Sequence, residues 1–229
     1  MIPLPTDAHP SPESPAGRRV LITAGPTREV VDTVRYLSNR SSGKMGIALA
    51  NEASRRGYAT TLLLGPVSEP LPEARSLRVE RFETTAQLQL LLEQHWPHHA
   101  LLVMAAAVAD FIPRVLCDGK ASRHEGPCTL TLDPAPDLLQ WASDSRRRGQ
   151  HLVGFALEPA DQCLANAQAK LARKGIDAIV ANPLETMDAS TISASLVLAD
   201  GSNVQPPGTL PKSQFATWLW DALDRRFPI

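Results

Sequence analysis

Apolar positions along the chain follow two alternating rhythms. Short dense runs occur at "RRVLITAG" (18–25), "ATTLLLG" (59–65), "RVERFE" (78–83), "ALLVMAAAVAD" (100–110), "HLVGFALE" (151–158) and "IDAIVAN" (176–182). Runs this brief, rich in β-branched residues and ended by turn formers, predict strands buried on both faces, with only the first half of 100–110 as strand. Between them, apolar residues recur every three or four positions. "GIALANEASRRG" (46–57) puts Ile47, Leu49, Ala50 and Ala53 at helical spacing and stops at Gly57, a C-terminal cap. A second helix, capped near Thr84 or Thr85, runs through "AQLQLLLEQHW" (86–96), and a third is read in "ADQCLANAQAKLARKG" (160–175). Strands alternating with helices predict an α/β fold of three layers: a mainly parallel sheet with helices on both faces and ligands beyond the carboxyl ends of the strands.

Two stretches break the rhythm. "PRVLCDGKASRHEGPCTLTLD" (113–133) and "ISASLVLADGSNVQPPG" (192–208) carry turn glycines between short apolar runs and predict β-hairpin arms reaching over a site or a partner. The proline-rich opening to Gly17 lacks the apolar content to pack and is expected to be a flexible tail, leaving residues 18–229 as a single domain.

Composition narrows the function classes. The 229 residues are 43% hydrophobic and 21% charged, an ordinary globule, and the net charge of -1 offers no general attraction to nucleic acid or an anionic membrane. Phosphate recognition must therefore come from a few placed groups. Cys117, Cys128 and Cys163 are odd in number and lack CxxC spacing, which argues against a disulfide framework or a zinc site and for reduced, cytoplasmic thiols. The N-terminus has no export signal, and no apolar run approaches the length of a membrane span.

The richest candidate chemistry lies in "SNRSSGKMG" (38–46). It is not a P-loop, because Ser38 stands at the first glycine and Met45 follows Lys44. It fits a dinucleotide fingerprint only if Ser41 replaces the first glycine, with no acid about twenty residues on to take a ribose. Gly43 and Gly46 nevertheless permit close backbone approach, and Ser41, Ser42 and the first helical amides can donate to phosphate oxygens. The same residues also suit an ordinary serine cap with packing glycines. Asp110 falls just past a buried strand, at the edge where α/β enzymes keep their sites, although taken alone an aspartate there is more often a solvated loop acid. Lys120 sits in the first arm near Arg123, and Lys170 and Lys174 share one helical face; each also reads as a solvated cation. Phe155 suits either a core or a base-stacking position.

Taken together, "LITAGPTREVVDTVRYLSNRSSGKMG", "AAAVADF", a lysine ten residues after that aspartate, "VGFALE", K-x-x-x-K and "DAIVAN" resemble phosphopantothenoylcysteine synthetase over roughly residues 18–226. The resemblance implies a Rossmann-like fold and a ligase of coenzyme A biosynthesis that condenses 4'-phosphopantothenate with L-cysteine. CTP is the co-substrate implied by the bacterial form of the first motif, with ATP the eukaryotic alternative, and Mg²⁺ is carried with the nucleotide. It assigns Asn39 to the acyl group and its nucleotidyl intermediate, with Arg35 nearby, and Gly25, Ser41, Gly43 and Gly46 to the triphosphate. Asp110, Phe155, Ala105, Ala106 and the stretch Ala135, Pro136, Asp137 and Leu138 match positions around base and ribose. Lys120, Lys170 and Lys174 match the family's nucleotide lysines, and Asn182 ends the matching "VAN" strand. Two departures stand out: "KASR" puts Ser122 and Arg123 at later lysines of the arm, and "APD" replaces the usual "NPD" at Ala135.

The implied chemistry is acyl activation. The carboxylate attacks the α-phosphate of CTP, pyrophosphate leaves, and the cysteine amine attacks the acyl-cytidylate to release CMP. The resemblance also implies a homodimer whose site borrows residues 112–132 or the loop around Asn39 from a neighbour, and a separate decarboxylase for the next step. An alternative from another class is an NAD(P)-binding reductase or dinucleotide-binding module, against which the long gap between the first strand and the glycines counts.

Overall fold

Val20, Ile22 and Ala24 face one apolar layer and Leu21 the other, so the first strand is buried on both sides and its sequence reads as a continuous apolar run. The computed structural model describes residues 19–71, 76–114, 126–127, 129–187 and 189–228. The tail expected over residues 1–17 and the arm segment carrying Lys120, Ser122 and Arg123 lie outside them.

In chain order the elements are β1 (Arg19–Ala24), β2 (Arg28–Val30), β3 (Tyr36–Ser38), α1 (Lys44–Arg55), β4 (Ala59–Leu64), β5 (Leu77–Arg81), α2 (Thr85–His95), β6 (Leu101–Met104) and β7 (Phe111–Pro113). They continue with β8 (Leu132–Pro134), α3 (Leu138–Asp144), β9 (His151–Glu158), α4 (Cys163–Lys174), β10 (Ala178–Pro183), β11 (Thr191–Ile192), β12 (Ser195–Leu198), β13 (Asn203–Val204), β14 (Leu210–Pro211) and α5 (Lys212–Arg226). Among the described residues, eight strands form the main sheet in the order β13-β12-β10-β9-β6-β1-β4-β5. The run from β10 to β5 is parallel throughout. The predicted mainly parallel sheet with helices on both faces is therefore what the chain forms.

Local signals set the helix ends. Thr84 caps α2 with its hydroxyl on the Gln87 amide while Gln87 reaches back, a reciprocal box that satisfies two orphan donors. Gly175 closes α4 in the left-handed conformation that glycine adopts without strain. On one face of the sheet α1 and α5 pack together, Leu49, Ala50 and Ala53 joining Phe215, Leu219 and Trp220 in one core. The Trp220 indole donates to the Leu49 carbonyl at 3.0 Å. On the other face Leu88, Leu92, Trp96, Leu138, Ala167 and Leu171 close the second core. Each buried leucine or phenylalanine among them contributes about 1.5–3 kcal/mol, and the alanines less.

Of the two expected arms, one is corrected. The stretch 192–208 is not a free arm: Leu196, Val197 and Leu198 are buried, and β12 extends the sheet antiparallel to β10, with β13 outside it. The first arm does leave the sheet, as β7 pairs with β8 in a separate antiparallel ladder.

His99, between α2 and β6, gives the fold a pH dependence. Its Nδ1 lies 2.7 Å from the His95 carbonyl and its Nε2 3.1 Å from the Thr61 hydroxyl, so one neutral tautomer satisfies both contacts. Burial foremost, with further positive charge from His95, Arg19 and His98, lowers its pKa from 6.5 to about 4. The unfolded chain binds this proton first, so the stability from His99 is complete above pH 6.5 and is lost as pH falls toward 4, by on the order of 3 kcal/mol. Thermal melts between pH 7 and pH 4 should show a smaller decline for His99→Gln than for the parent chain; equal declines would remove His99 as the cause.

Candidate active site

The parallel strands run in the order β5-β4-β1-β6-β9-β10, so successive connections depart in opposite directions from β1 and β6. That reversal leaves a crevice beyond the carboxyl ends of these two strands, where open α/β sheets bind ligands. The loops on either side are joined by backbone hydrogen bonds, Ala107 N–H donating to Gly25 O at 2.9 Å and Thr27 N–H to Ala107 O at 3.2 Å.

After β1 the chain makes a small hairpin of β2 and β3 before α1 begins. The Ser38 hydroxyl donates to the Thr27 carbonyl at 2.7 Å, and the Asn39 amide nitrogen donates to the carbonyls of Ala107 and Val108 at 3.1 and 3.0 Å. These bonds aim residues 41–43 across the crevice. Gly43 is the N-cap of α1 at φ +78°, with no side-chain cap and no acidic residue in the first turn. The first amides of α1 and the positive end of its dipole therefore face the crevice with Ser41 and Ser42 beside them, an arrangement suited to an anion.

The cleft has a volume of about 790 Å³. Ser41, Gly43 and Gly46 line it from the α1 side, Asn39, Ala105, Ala106 and Asp110 from the β3 and β6 loops, and Ala135, Pro136, Asp137 and Leu138 from the start of α3. Phe155, Lys170, Lys174 and Asn182 line it from β9, α4 and β10. Lys170 is half-buried, and its ammonium donates to the Phe155 carbonyl at 3.3 Å; burial lowers its pKa despite the opposing field of Glu158 and Asp110. Lys174 is buried, also with a pKa lowered by burial, and pairs closely with Asp137, whose other oxygen caps α3 through the Gln140 amide at 3.0 Å. Asn182 accepts from the Thr186 hydroxyl at 2.5 Å.

The other predicted positions fall elsewhere. Arg35 is turned to Asp32, its Nε donating at 2.7 Å, and does not line the cleft. Gly25 sits behind the lining at φ +81°, where a Cβ would lie 2.9 Å from Val67 Cγ1, so close packing accounts for the glycine there. Gly46 serves packing as well as the cleft, since a Cβ would come within 2.4 Å of the Ala24 Cβ. Sequence reasoning missed Glu158, Thr186, Met187 and Lys212, which also line the cleft. The "VGFALE" motif contains Glu158, but nothing local marks Lys212: long-range packing of α5 on α1 brings it in.

Known proteins resemble the chain over the same span. The family model of the DNA/pantothenate metabolism flavoprotein C-terminal domain matches residues 15–226. The chain is 41% identical over 169 residues to a cysteine/cysteine sulfinic acid decarboxylase from an unknown prokaryotic organism, a match covering 74% of this chain and 46% of that protein. It is 39% identical over 199 residues to the coenzyme A biosynthesis bifunctional protein CoaBC of Mycobacterium bovis, covering 82% of this chain and 47% of that one. The chain thus spans about half the length of these curated relatives. The crystal structure of the C-terminal domain of a coenzyme A biosynthesis bifunctional protein CoaBC matches with a TM-score of 0.77 at 29% identity, covering 93% of this chain and 98% of that domain.

Proposed function

Because the chain belongs to the family of the DNA/pantothenate metabolism flavoprotein C-terminal domain, we propose that it is a phosphopantothenate–cysteine ligase of coenzyme A biosynthesis, working through an acyl-cytidylate made from CTP. One observation carries the reading: the anion loop of residues 41–46, the acid Asp110, the aromatic Phe155 and the lysines of α4, distant in sequence, line the same cleft. The name of the M. bovis relative supports the pathway. The decarboxylase name belongs to a protein of which the chain matches 46%, and nothing in it bears on which half acts.

The chemistry follows from charge. A carboxylate attacking a triphosphate meets strong repulsion, and the α1 amides with Ser41 and Ser42 would hold phosphate oxygens while Lys170 offsets charge from the opposite wall. Among the described residues no three His, Cys, Asp or Glu side chains converge on a metal site, so Mg²⁺ would enter bound to the triphosphate as part of the substrate. The cysteine amine then displaces CMP and forms the amide. The product would pass to a phosphopantothenoylcysteine decarboxylase. A cytoplasmic setting suits such metabolites, and no helix among the described residues is long and apolar enough to cross a membrane.

A homodimer fits the same reading. Val30, Val34 and Tyr36 of the β2–β3 hairpin and Phe111 and Leu132 of the β7–β8 ladder are exposed, and β2 contacts β7, so these apolar side chains lie on adjoining hairpins next to the cleft loops. A second copy seated there would lie beside the cleft loops, as a site shared between subunits requires; the arm residue Lys120 itself lies outside the described residues. Light scattering showing a fully active monomer would refute the homodimer.

The deciding assay is pyrophosphate release with CTP, phosphopantothenate and cysteine, with ATP in parallel. The strand order favours one rival, dinucleotide binding. Saturable NADPH binding without pyrophosphate release would decide for it. The two α4 lysines should separate in that assay. Lys170→Gln weakens CTP binding roughly tenfold or more at unchanged melting temperature, because its ammonium serves the ligand. Lys174→Gln lowers the melting temperature by loosening the Asp137 loop. Isothermal titration and thermal melts check both, and interchanged behaviour would reverse the assignment.

A further inference from the structure

The family motif contributes two hydroxyls that the ligase reading leaves without a role. Thr23 in β1 and Thr27 just beyond it are fully buried and do not line the cleft. Their side-chain oxygens each accept from a backbone amide of the opposite loop, Thr23 from Ala106 and Thr27 from Ala109, both at 3.0 Å. Between these anchors Ala107 is held by Gly25 and Thr27 through the backbone, and Asn39 takes the carbonyls of Ala107 and Val108 from the solvent side. The floor of the cleft is thus pinned residue by residue.

Thr27 is itself held from behind. Glu29, nearly buried, accepts from the Thr85 amide at 3.0 Å and the Thr85 hydroxyl at 2.7 Å, at the start of α2. The Thr85 and Thr27 oxygens lie 3.4 Å apart. Thr85 has one hydroxyl proton, and the carboxylate is the stronger acceptor at the shorter distance, which leaves the Thr27 proton to bridge the two hydroxyls. The Thr27 lone pairs then point toward the Ala109 amide. A carboxylate in β2, acting through a threonine at the start of α2, in this way fixes the rotamer of a threonine that fixes the cleft loop.

We propose that Thr27, supported by Thr23 and by the Glu29–Thr85 pair, is a positioning residue for catalysis: its buried hydroxyl sets the backbone of residues 106–109 so that Asn39 and Asp110 meet the reacting groups. The inference rests on the ligase reading for its kinetic part and on geometry alone for its structural part. Thr27→Val keeps the shape and removes the acceptor; Thr27→Ser keeps the acceptor and removes the methyl. In the full chain without ligand, amide exchange at Ala109 should rise about tenfold or more in Thr27→Val and return to within about threefold of the parent in Thr27→Ser. With substrates, kcat should fall roughly thirtyfold in Thr27→Val at a KM for CTP within about threefold, again with recovery in Thr27→Ser. Thr27→Ala carries the same comparison if the valine variant does not fold. Unchanged exchange in the valine or alanine variant, raised exchange at unchanged kcat, or a serine variant no better than valine each overturns the proposal. A parent chain that makes no pyrophosphate would instead overturn the ligase reading, and the exchange comparison would then decide the positioning role by itself.

Discussion

Asn39→Asp should slow acyl-cytidylate formation in a single turnover by roughly a hundred- to thousandfold, with CTP affinity changed by less than about tenfold. A carboxamide has two N–H bonds, and in Asn39 the nitrogen bearing both faces the carbonyls of Ala107 and Val108. A carboxylate has the same size but only acceptors, so the variant sets a negative charge against two carbonyl oxygens at about the distance where hydrogen bonds stood. The loop opens, and with it the position of any acyl group bound against it. The nucleotide end of the cleft, built on α1 and α4, is left intact. Asn39→Ala loses the two bonds without adding repulsion and should be impaired by a smaller factor. Rapid-quench measurement of the intermediate tests the order: equal rates for aspartate and alanine variants would show that repulsion is not the cause. A normal rate for aspartate would remove Asn39 from the first half-reaction.

The order of strands and helices is legible in the sequence because the central strands are covered on both faces. Leu101, Leu102 and Val103 have no solvent side, so their run contains no polar alternation to blur it. The caps at Thr84 and Gly175 are equally plain, since each uses a residue whose side chain or backbone freedom does the work locally. What the sequence leaves hidden depends on partners far along the chain. The hairpin of β2 and β3 interrupts what reads as one long polar loop, and the apolar run at 195–198 reads as an arm until its pairing with β10 is seen. Phe215, Leu219 and Leu223 recur at the helical interval, a signal sufficient to find α5. That spacing does not say that α5 packs on α1 and brings Lys212 to the cleft. Among site residues, Ser41 and Asp110 lie in loops that follow strands and are found by position, whereas Phe155 within β9 and Lys170 within α4 are found through their motifs. Thr23 and Thr27 act through backbone groups some eighty residues away, which no local pattern encodes.

Gly46→Ala should destabilise the protein and weaken nucleotide binding together, against the helix propensity of alanine. In the first turn of α1, glycine to alanine gains up to about 1 kcal/mol where the side chain is free. Here the new methyl would stand 2.4 Å from the Ala24 Cβ and 3.0 Å from the Thr23 carbonyl oxygen. Ala24 belongs to the central strand and its Cβ has no rotamer by which to retreat, so α1 must lift from the sheet. Overpacking of this kind costs about 1–3 kcal/mol and occasionally more, which exceeds the propensity gain. For a domain of this size each kcal/mol lowers the melting temperature by about 2–4 °C, and Gly46→Val, with a larger side chain at the same place, should lose roughly 5–10 °C. The same displacement carries the α1 amides away from the loop of residues 41–43, so CTP affinity falls with stability. Gly57→Asn is the control: it follows the C-terminus of α1 at φ +85° with nothing within 4 Å of an added Cβ, and asparagine tolerates that backbone. It should leave CTP affinity unchanged and the melting temperature within about 2 °C. A Gly46→Ala protein more stable than its parent would mean that α1 can shift on β1 without loss, and the close crossing would not be what requires glycine there.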